Sequence, residues 1–325
     1  MKSARRVSPG STVSSVSPVR PMNPAVWPRG DRQPVAGEPA RRIGAVLADH
    51  VALTKPKLNG LVVITSAAGC YLGSSEAALL PVAQAAIGTA LVAAGSAVLN
   101  QVIERDTDAL MRRTCKRPLP DGRVTPDDAR VFGVGLSALG LALLALTANV
   151  LSAALALATL VIYVAVYTPL KRTSEMATLV GAVPGALPPL IGWAAGHGTL
   201  SLGGWILFGI VFFWQIPHFM AISWLCRDDY AKARFPMLAV IDGDGRRVGR
   251  QALIYAAALL PVSLLPTAVG LAGWWYFWAA LALGLALVWL SARFALRRSE
   301  LRARILFVTS IIYLPLIWAV MILDR

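Results

Sequence analysis

Apolar runs of about twenty residues recur along this chain, and few folds can accommodate them. Each is long enough to cross a hydrocarbon layer of about 30 Å as a helix. Nine are legible, at roughly 58–76, 79–103, 128–148, 150–169, 176–196, 202–224, 251–270, 273–292 and 304–322. A backbone in lipid must satisfy its own hydrogen bonds, so such runs are helical. The expectation is an all-α membrane protein of about nine transmembrane helices. Composition agrees, since 56% of the 325 residues are hydrophobic, more than a water-soluble protein of this length carries.

The charges give the runs a direction. A net charge of +14 could suggest a nucleic-acid binder, but the basic residues are sorted by loop rather than gathered on one surface. With nine crossings, alternate loops lie on opposite sides. Residues 1–57 and the loops 104–130, 170–175, 225–250 and 293–304 hold 30 of the 31 Lys and Arg residues. The opposite loops, near Gly73–Ser75, Ala148–Leu151, Gly196–Gly203 and Gly270–Gly273, hold none, and Arg325 is the exception. The positive-inside rule places the N-terminus and the charged loops in the cytoplasm and the C-terminus outside. Topology and contact with anionic lipid then account for most of the basic residues, and nucleic acid is not expected as a partner. Cys70, Cys115 and Cys226 have no metal-ligand spacing and do not suggest a disulfide framework.

Residues 1–42 are rich in Ser, Pro, Arg and Gly and have no apolar period, which reads as a disordered cytoplasmic tail. They contain no acid before Asp31, so a mitochondrial transit peptide stays open, while the lack of an apolar core argues against a secretory signal. Residues 43–325 read as one polytopic domain. Pro184, Pro188 and Pro189 are expected to interrupt the fifth run, and Pro217 lies late in the sixth. The two longest charged loops, 104–130 and 225–250, fall on the same side and could roof one cavity.

Chemistry concentrates at the end of the second run. Asn100, Glu104 and Asp108 stand at i, i+4 and i+8 and climb one face of a helix. Two carboxylates at that spacing repel each other unless a cation lies between them. Three oxygen-bearing side chains at a membrane edge form a plausible cradle for Mg²⁺ and the diphosphate it neutralises. Arg112, Arg113, Lys116 and Arg117 follow and suit phosphate oxygens. Tyr167 and Lys171 share a face at the end of the fourth run, beside Arg172. Gln215 and His218 flank Pro217 and can face a cavity, and Asp228 and Asp229 could hold a second Mg²⁺ or a water. His50 and His197 read as structural or surface residues. Trp193, Phe212, Phe213, Trp214 and Phe219 are available to line a dry cavity, although packing is the simpler role for each.

These residues resemble a known family. Asn100-x₃-Glu104-x₃-Asp108 is similar to the first acidic motif of the UbiA-type intramembrane prenyltransferases. Six blocks in order resemble the branch that farnesylates heme. They are Leu53–Lys57, Arg105 to Thr114, Tyr167 to Arg172, Gly185 to Trp193, Trp214 to Phe219, and Asp228-Asp229-Tyr230 through Pro236-Met237-Leu238. The resemblance runs from about residue 45 to the C-terminus. It implies helices around a central lipid-accessible cavity and transfer of farnesyl from farnesyl diphosphate to a vinyl group of heme B, with addition of water, giving heme O. Heme B is then a substrate rather than a cofactor, and Mg²⁺ accompanies the diphosphate.

On the resemblance, Asn100, Glu104 and Asp108 hold the metal and act with Lys171 and His218 in catalysis. Arg105, Arg113, Lys116, Arg117, Tyr167, Arg172, Gln215, Asp228, Asp229 and Tyr230 contact substrate. A downstream heme A synthase or cytochrome oxidase assembly is the implied partner. A bacterial inner (plasma) membrane is the favoured location, with the mitochondrial inner membrane as the alternative. There are departures. Glu104 replaces the family's usual Asp, Lys232 and Ala233 stand where a second acidic pair would continue, and Ala177 replaces an Asn. A quinone precursor or a chlorin as acceptor, or a non-enzymatic carrier of heme or isoprenoid, remain as other readings.

Overall fold

The computed structural model describes residues 43–75 and 78–325. The expected tail over 1–42 lies outside the described residues. Helices dominate and no strand occurs among the described residues. In chain order they are α1 (Ile43–Leu53), α2 (Pro56–Gly73), α3 (Leu79–Asp108), α4 (Pro126–Thr147), α5 (Val150–Val161) and a π-helical turn (Ile162–Tyr167). Then come α6 (Thr168–Leu170), α7 (Ala177–His197), α8 (Leu202–Leu225), α9 (Arg227–Lys232), α10 (Leu238–Ile241), α11 (Arg246–Ala268), α12 (Trp274–Leu296) and α13 (Glu300–Leu323).

The nine expected runs correspond to α2, α3, α4, the α5-to-α6 segment, α7, α8, α11, α12 and α13. Eight of these are long and apolar enough to cross a membrane by length and composition. The ninth, α2, has 18 residues, about 27 Å, and carries Lys57 and Asn59 in its first turn. In contrast, α3 has 30 residues, about 45 Å, more than the hydrocarbon needs. Asn100, Glu104 and Asp108 stand on its last turns, in the length beyond what a hydrocarbon crossing uses.

Contacts between helix ends follow the alternation that successive crossings require. At one end, Lys171 just beyond α6 reaches Glu104 of α3, Arg247 of α11 reaches Glu175 ahead of α7, and Arg227 of α9 reaches Glu300 of α13. At the other end, Asn149 ahead of α5 donates to the Ala194 carbonyl of α7 at 2.7 Å. There too, Arg325 donates to the Tyr71 and Ser74 carbonyls at the end of α2, and Asp324 accepts from the Tyr276 amide of α12. The charged loops thus share one end of the bundle.

Close packing of α2 on α7 needs two glycines. A Cβ on Gly192 would lie 1.9 Å from the Ser66 carbonyl oxygen, and one on Gly69 would lie 2.1 Å from that of Pro189. Small residues let helix backbones meet where lipid supplies no hydrophobic drive. Pro184, Pro188 and Pro189 do not break α7, contrary to the expectation from sequence; the helix continues from Ala177 to His197. The proline-rich stretch is braced from α8, where Gln215 donates to the Ala182 carbonyl at 2.7 Å.

A proline does redirect the fourth crossing. Pro169 has no N–H for the Ala165 carbonyl, and the chain widens into a π turn just before it. Both the backbone N–H and the hydroxyl of Thr168 then converge on the Tyr163 carbonyl. This turn presents Thr168 to α3.

Candidate functional site

The ladder residues point inward. Asn100, Glu104 and Asp108 are 2%, 3% and 1% exposed, so the face they share is buried. Two carboxylates cannot be buried alone, because stripping their hydration costs several kcal/mol each. Each rung has a cationic partner from a different part of the chain. Lys55 donates to Asn100 Oδ1 at 3.2 Å. Lys171 lies 3.1 and 3.4 Å from the two Glu104 oxygens. Arg117 donates to Asp108 Oδ2 at 2.6 Å.

Second partners hold these groups. Asn100 Nδ2 donates to the Thr168 hydroxyl at 3.1 Å, which fixes Oδ1 toward Lys55. Lys171 sits over the Phe235 ring, 4.7 Å from its centroid. The loop after α3 folds back through Thr114, whose hydroxyl donates to the Asp108 carbonyl at 2.8 Å. Met111 from that loop packs with Tyr230, Phe235 and Met237 from the loop after α8. The two longest charged loops therefore meet above the ladder.

Electrostatics match this placement. Burial, reinforced by the Arg117 cation, lowers Lys55 to about 7, against the opposing pull of Glu104 and Asp108. For Lys171 burial also acts downward, but Tyr167 and Glu104 outweigh it and leave the amine raised. Lys55 adopts φ 50°, one of two left-handed non-glycine residues described. Such a conformation costs about 1–3 kcal/mol and persists where surrounding bonds impose it.

Other expected residues are distributed more widely. Arg105 pairs with Asp106 at 3.1 Å on the outer face of α3. Arg112, Arg113 and Lys116 are exposed, and the backbone carbonyl of Lys116 accepts from Arg123. Arg172 donates to the Ile103 carbonyl, tying its loop to α3. Tyr167 packs its ring on Gly181 and beside Tyr163, 5.3 Å between centroids. Tyr230 is buried under the roof, whereas the Asp228 side chain is 87% exposed with Arg227 at 3.9 Å. Asp229 is half-buried, and no group of three or more His, Cys, Asp or Glu able to hold a metal occurs among the described residues. The ladder itself offers two carboxylates and an amide.

His218 belongs to a second cluster, between α8 and α13. Its Nδ1 lies 2.9 Å from Ser310 Oγ. That hydroxyl donates its one hydrogen to the Phe307 carbonyl at 2.7 Å. Ser310 must therefore accept from His218 Nδ1–H, and Nε2 keeps a free lone pair. The ring stacks between Trp214 and Phe307, with centroids 5.3 and 4.9 Å away. Trp214 in turn donates to the Ser310 carbonyl at 2.7 Å. Phe212 and Phe213 continue the ring contacts toward Tyr255, while Trp193 packs on Gly203 and Gly204 and stacks on His197. Phe219 adjoins His218.

Lys55, Thr168, Phe235 and Ser310 are the site residues that residue spacing left out. Only the Leu53–Lys57 block of the resemblance pointed at Lys55. Thr168 stands in the Tyr167-to-Arg172 block, which gave it no role of its own, and Phe235 and Ser310 are single residues with no local signature.

Residues 61–317 match the UbiA prenyltransferase family, and the chain belongs to that family. Among its relatives it is 44% identical over 289 residues to the protoheme IX farnesyltransferase of Solibacter usitatus (strain Ellin6076), covering 86% of this chain and 99% of that protein. It is 45% identical over 282 residues to the protein of the same name from Opitutus terrae, covering 86% and 96%. Solved structures share the fold at low identity. A digeranylgeranylglyceryl phosphate synthase aligns with a TM-score of 0.73 at 18% identity, covering 86% of this chain and 98% of that one. A UbiA homolog from Archaeoglobus fulgidus bound to GPP and Mg²⁺ aligns with a TM-score of 0.60 at 16% identity, covering 84% and 99%. The protein is thus a multi-pass membrane prenyltransferase by family.

Proposed function

We propose that this chain transfers the farnesyl group of farnesyl diphosphate to a vinyl group of heme B, with addition of water, to give heme O. The observation that carries the chemistry is the buried ladder of Asn100, Glu104 and Asp108 with a basic side chain on every rung. The name shared by relatives at 44–45% identity supports heme as the acceptor.

The donor set fits Mg²⁺. It consists of hard oxygens on one helix face, two of them charged, with room in the coordination shell for phosphate and water. Asn100, Glu104 and Asp108 would hold the ion, which when bound neutralises the diphosphate as the allylic C–O bond breaks. Two carboxylates then face the ion, and Lys171 and Arg117 face the diphosphate ester, joined by Lys55, whose lowered amine would be held protonated by the incoming anion. Each of these cations needs only to turn from its ladder partner to a phosphate oxygen. Arg113, Lys116 and Arg172 stand at the rim to draw the anion in.

The buried roof keeps water from the allylic cation until the vinyl carbon attacks it. That attack leaves a cation on the carbon next to the porphyrin, where a water oxygen adds and releases a proton. His218 Nε2, with its lone pair free, is suited to accept that proton. Tyr167, Gln215, Asp229 and Tyr230, and the exposed Asp228, are assigned as further substrate contacts. We place the protein in a bacterial plasma membrane, with residues 1–42 as a cytoplasmic tail, 43–325 as the prenyltransferase domain and the C-terminus outside. Its product would pass to a heme A synthase or to cytochrome oxidase assembly.

The test is to supply the purified protein in lipid with farnesyl diphosphate, Mg²⁺ and heme B and to measure heme O. The expected result is heme O from the native chain and a loss on the order of a hundredfold or more in Asp108→Asn. Equal product from both would remove the metal-site reading. Farnesyl transfer to a quinone precursor or chlorin but not to heme would replace the acceptor, and transport with no product would make the chain a carrier.

A further inference from the structure

Helix α1 is built inside out. Of its eleven residues only Asp49 and His50 are titratable, and both turn toward the protein. Asp49 is 6% exposed and bonded to Arg123, and His50 sets its ring edge-on against Phe132 at 5.1 Å. The exposed face carries Ile43 at 80%, Leu47 at 60% and Val51 at 57%, with Val46, Ala48 and Ala52 beside them. Ile43, Leu47 and Val51 stand at i, i+4 and i+8, one stripe along the helix. A helix that hides its charge and presents its aliphatics is not facing water.

Position supports lipid as the medium. Leu53 is followed after two residues by Pro56, the start of the crossing helix α2, so α1 sits where the chain enters the bilayer. Arg41 and Arg42 precede it in the sequence, and no acid lies on its outer face. We infer that α1 lies in the plane of the cytoplasmic membrane interface, its Ile43–Leu47–Val51 stripe among the acyl chains and its partner an anionic lipid surface.

This seat is joined to the ladder. The Leu53 carbonyl at the end of α1 accepts from Gln101 Nε2 at 2.6 Å, and Lys55, two residues on, donates to Asn100. Docking of α1 on lipid therefore sets where Lys55 stands. This second part rests on the diphosphate site proposed above; the first does not.

The test uses the full chain, with Cys115→Ser and Cys226→Ser, in phosphatidylglycerol–phosphatidylcholine vesicles. A thiol placed by Leu47→Cys should resist a membrane-impermeant reagent, and a fluorophore there should be quenched by nitroxide lipids labelled high on the acyl chain. Ala109→Cys, exposed in the loop after α3, should label freely. Rapid labelling at position 47, or protection without lipid quenching, would overturn the inference; the latter would mean that protein covers α1. In the chain with its native cysteines, Leu47→Asp should raise KM for farnesyl diphosphate roughly tenfold, the effect of loosening one charged hydrogen bond, with little change in kcat. Unchanged KM in a folded Leu47→Asp protein would overturn the coupling while leaving both the interfacial seat and the farnesyl-transfer reading standing.

Discussion

Glu104 and Lys171 show how one residue depends on another far away in the chain. Both side chains are nearly buried, at 4% and 13% exposure. Truncating one partner of such a pair strands the other charge, which typically costs about 3–5 kcal/mol. Lys171→Met is therefore expected to destabilise the protein by about that much without diphosphate, read as a fall in Tm in lipid. Adding Glu104→Gln should recover part of the loss while prenyl transfer stays absent. A Tm unchanged by Lys171→Met would mean that the pair is not formed. The i, i+4, i+8 spacing of the ladder was legible in the sequence because helix periodicity is local. Its cations were only partly legible. Arg117 and Lys171 stood out as basic residues near a membrane edge, but nothing in the spacing marked Lys55 against Arg113 or Lys116. The structure sends those two outward.

At the scale of elements, α2 and α7 approach so closely that a methyl group cannot enter. Gly192→Ala would drive a Cβ to 1.9 Å from the Ser66 carbonyl, so the helices must part. Gly135 on α4 serves as the contrast, since a Cβ there would meet no atom within 4 Å. Gly192→Ala should lower Tm by several degrees or abolish folding, while Gly135→Ala should be neutral or stabilise by up to about 1 kcal/mol. Similar Tm values for both would refute the close packing. The helices themselves were expected from the apolar runs, and their ends fell within a few residues of those runs. The π turn at Ile162–Tyr167 and the continuity of α7 through three prolines were not. The first involves the Thr168 amide and hydroxyl meeting at the Tyr163 carbonyl, and the second a helix braced from α8, where Gln215 donates to the Ala182 carbonyl.

For the whole molecule, the charge pattern and the end-to-end contacts make the same statement about sidedness. Arg325 clasps the end of α2, at the opposite end of the bundle from the ladder. In intact right-side-out cells, Arg325→Cys should react with an impermeant thiol reagent, and Ala109→Cys should react only after lysis. The reverse pattern would invert the orientation and put the ladder of Asn100, Glu104 and Asp108 on the outer face.

The sequence alone determined that this chain is a bundle of membrane helices with a polar ladder at one end. Both features follow from local rules, because lipid forces each segment to satisfy its own backbone and 3.6 residues per turn fixes which side chains align. Tertiary structure decided which charges face the ladder. Lys55 reaches Asn100 across 45 residues, Lys171 reaches Glu104 across 67, and Ser310 sets the tautomer of His218 across 92. No periodicity spans such separations, and only the packed helices bring those groups within bonding distance.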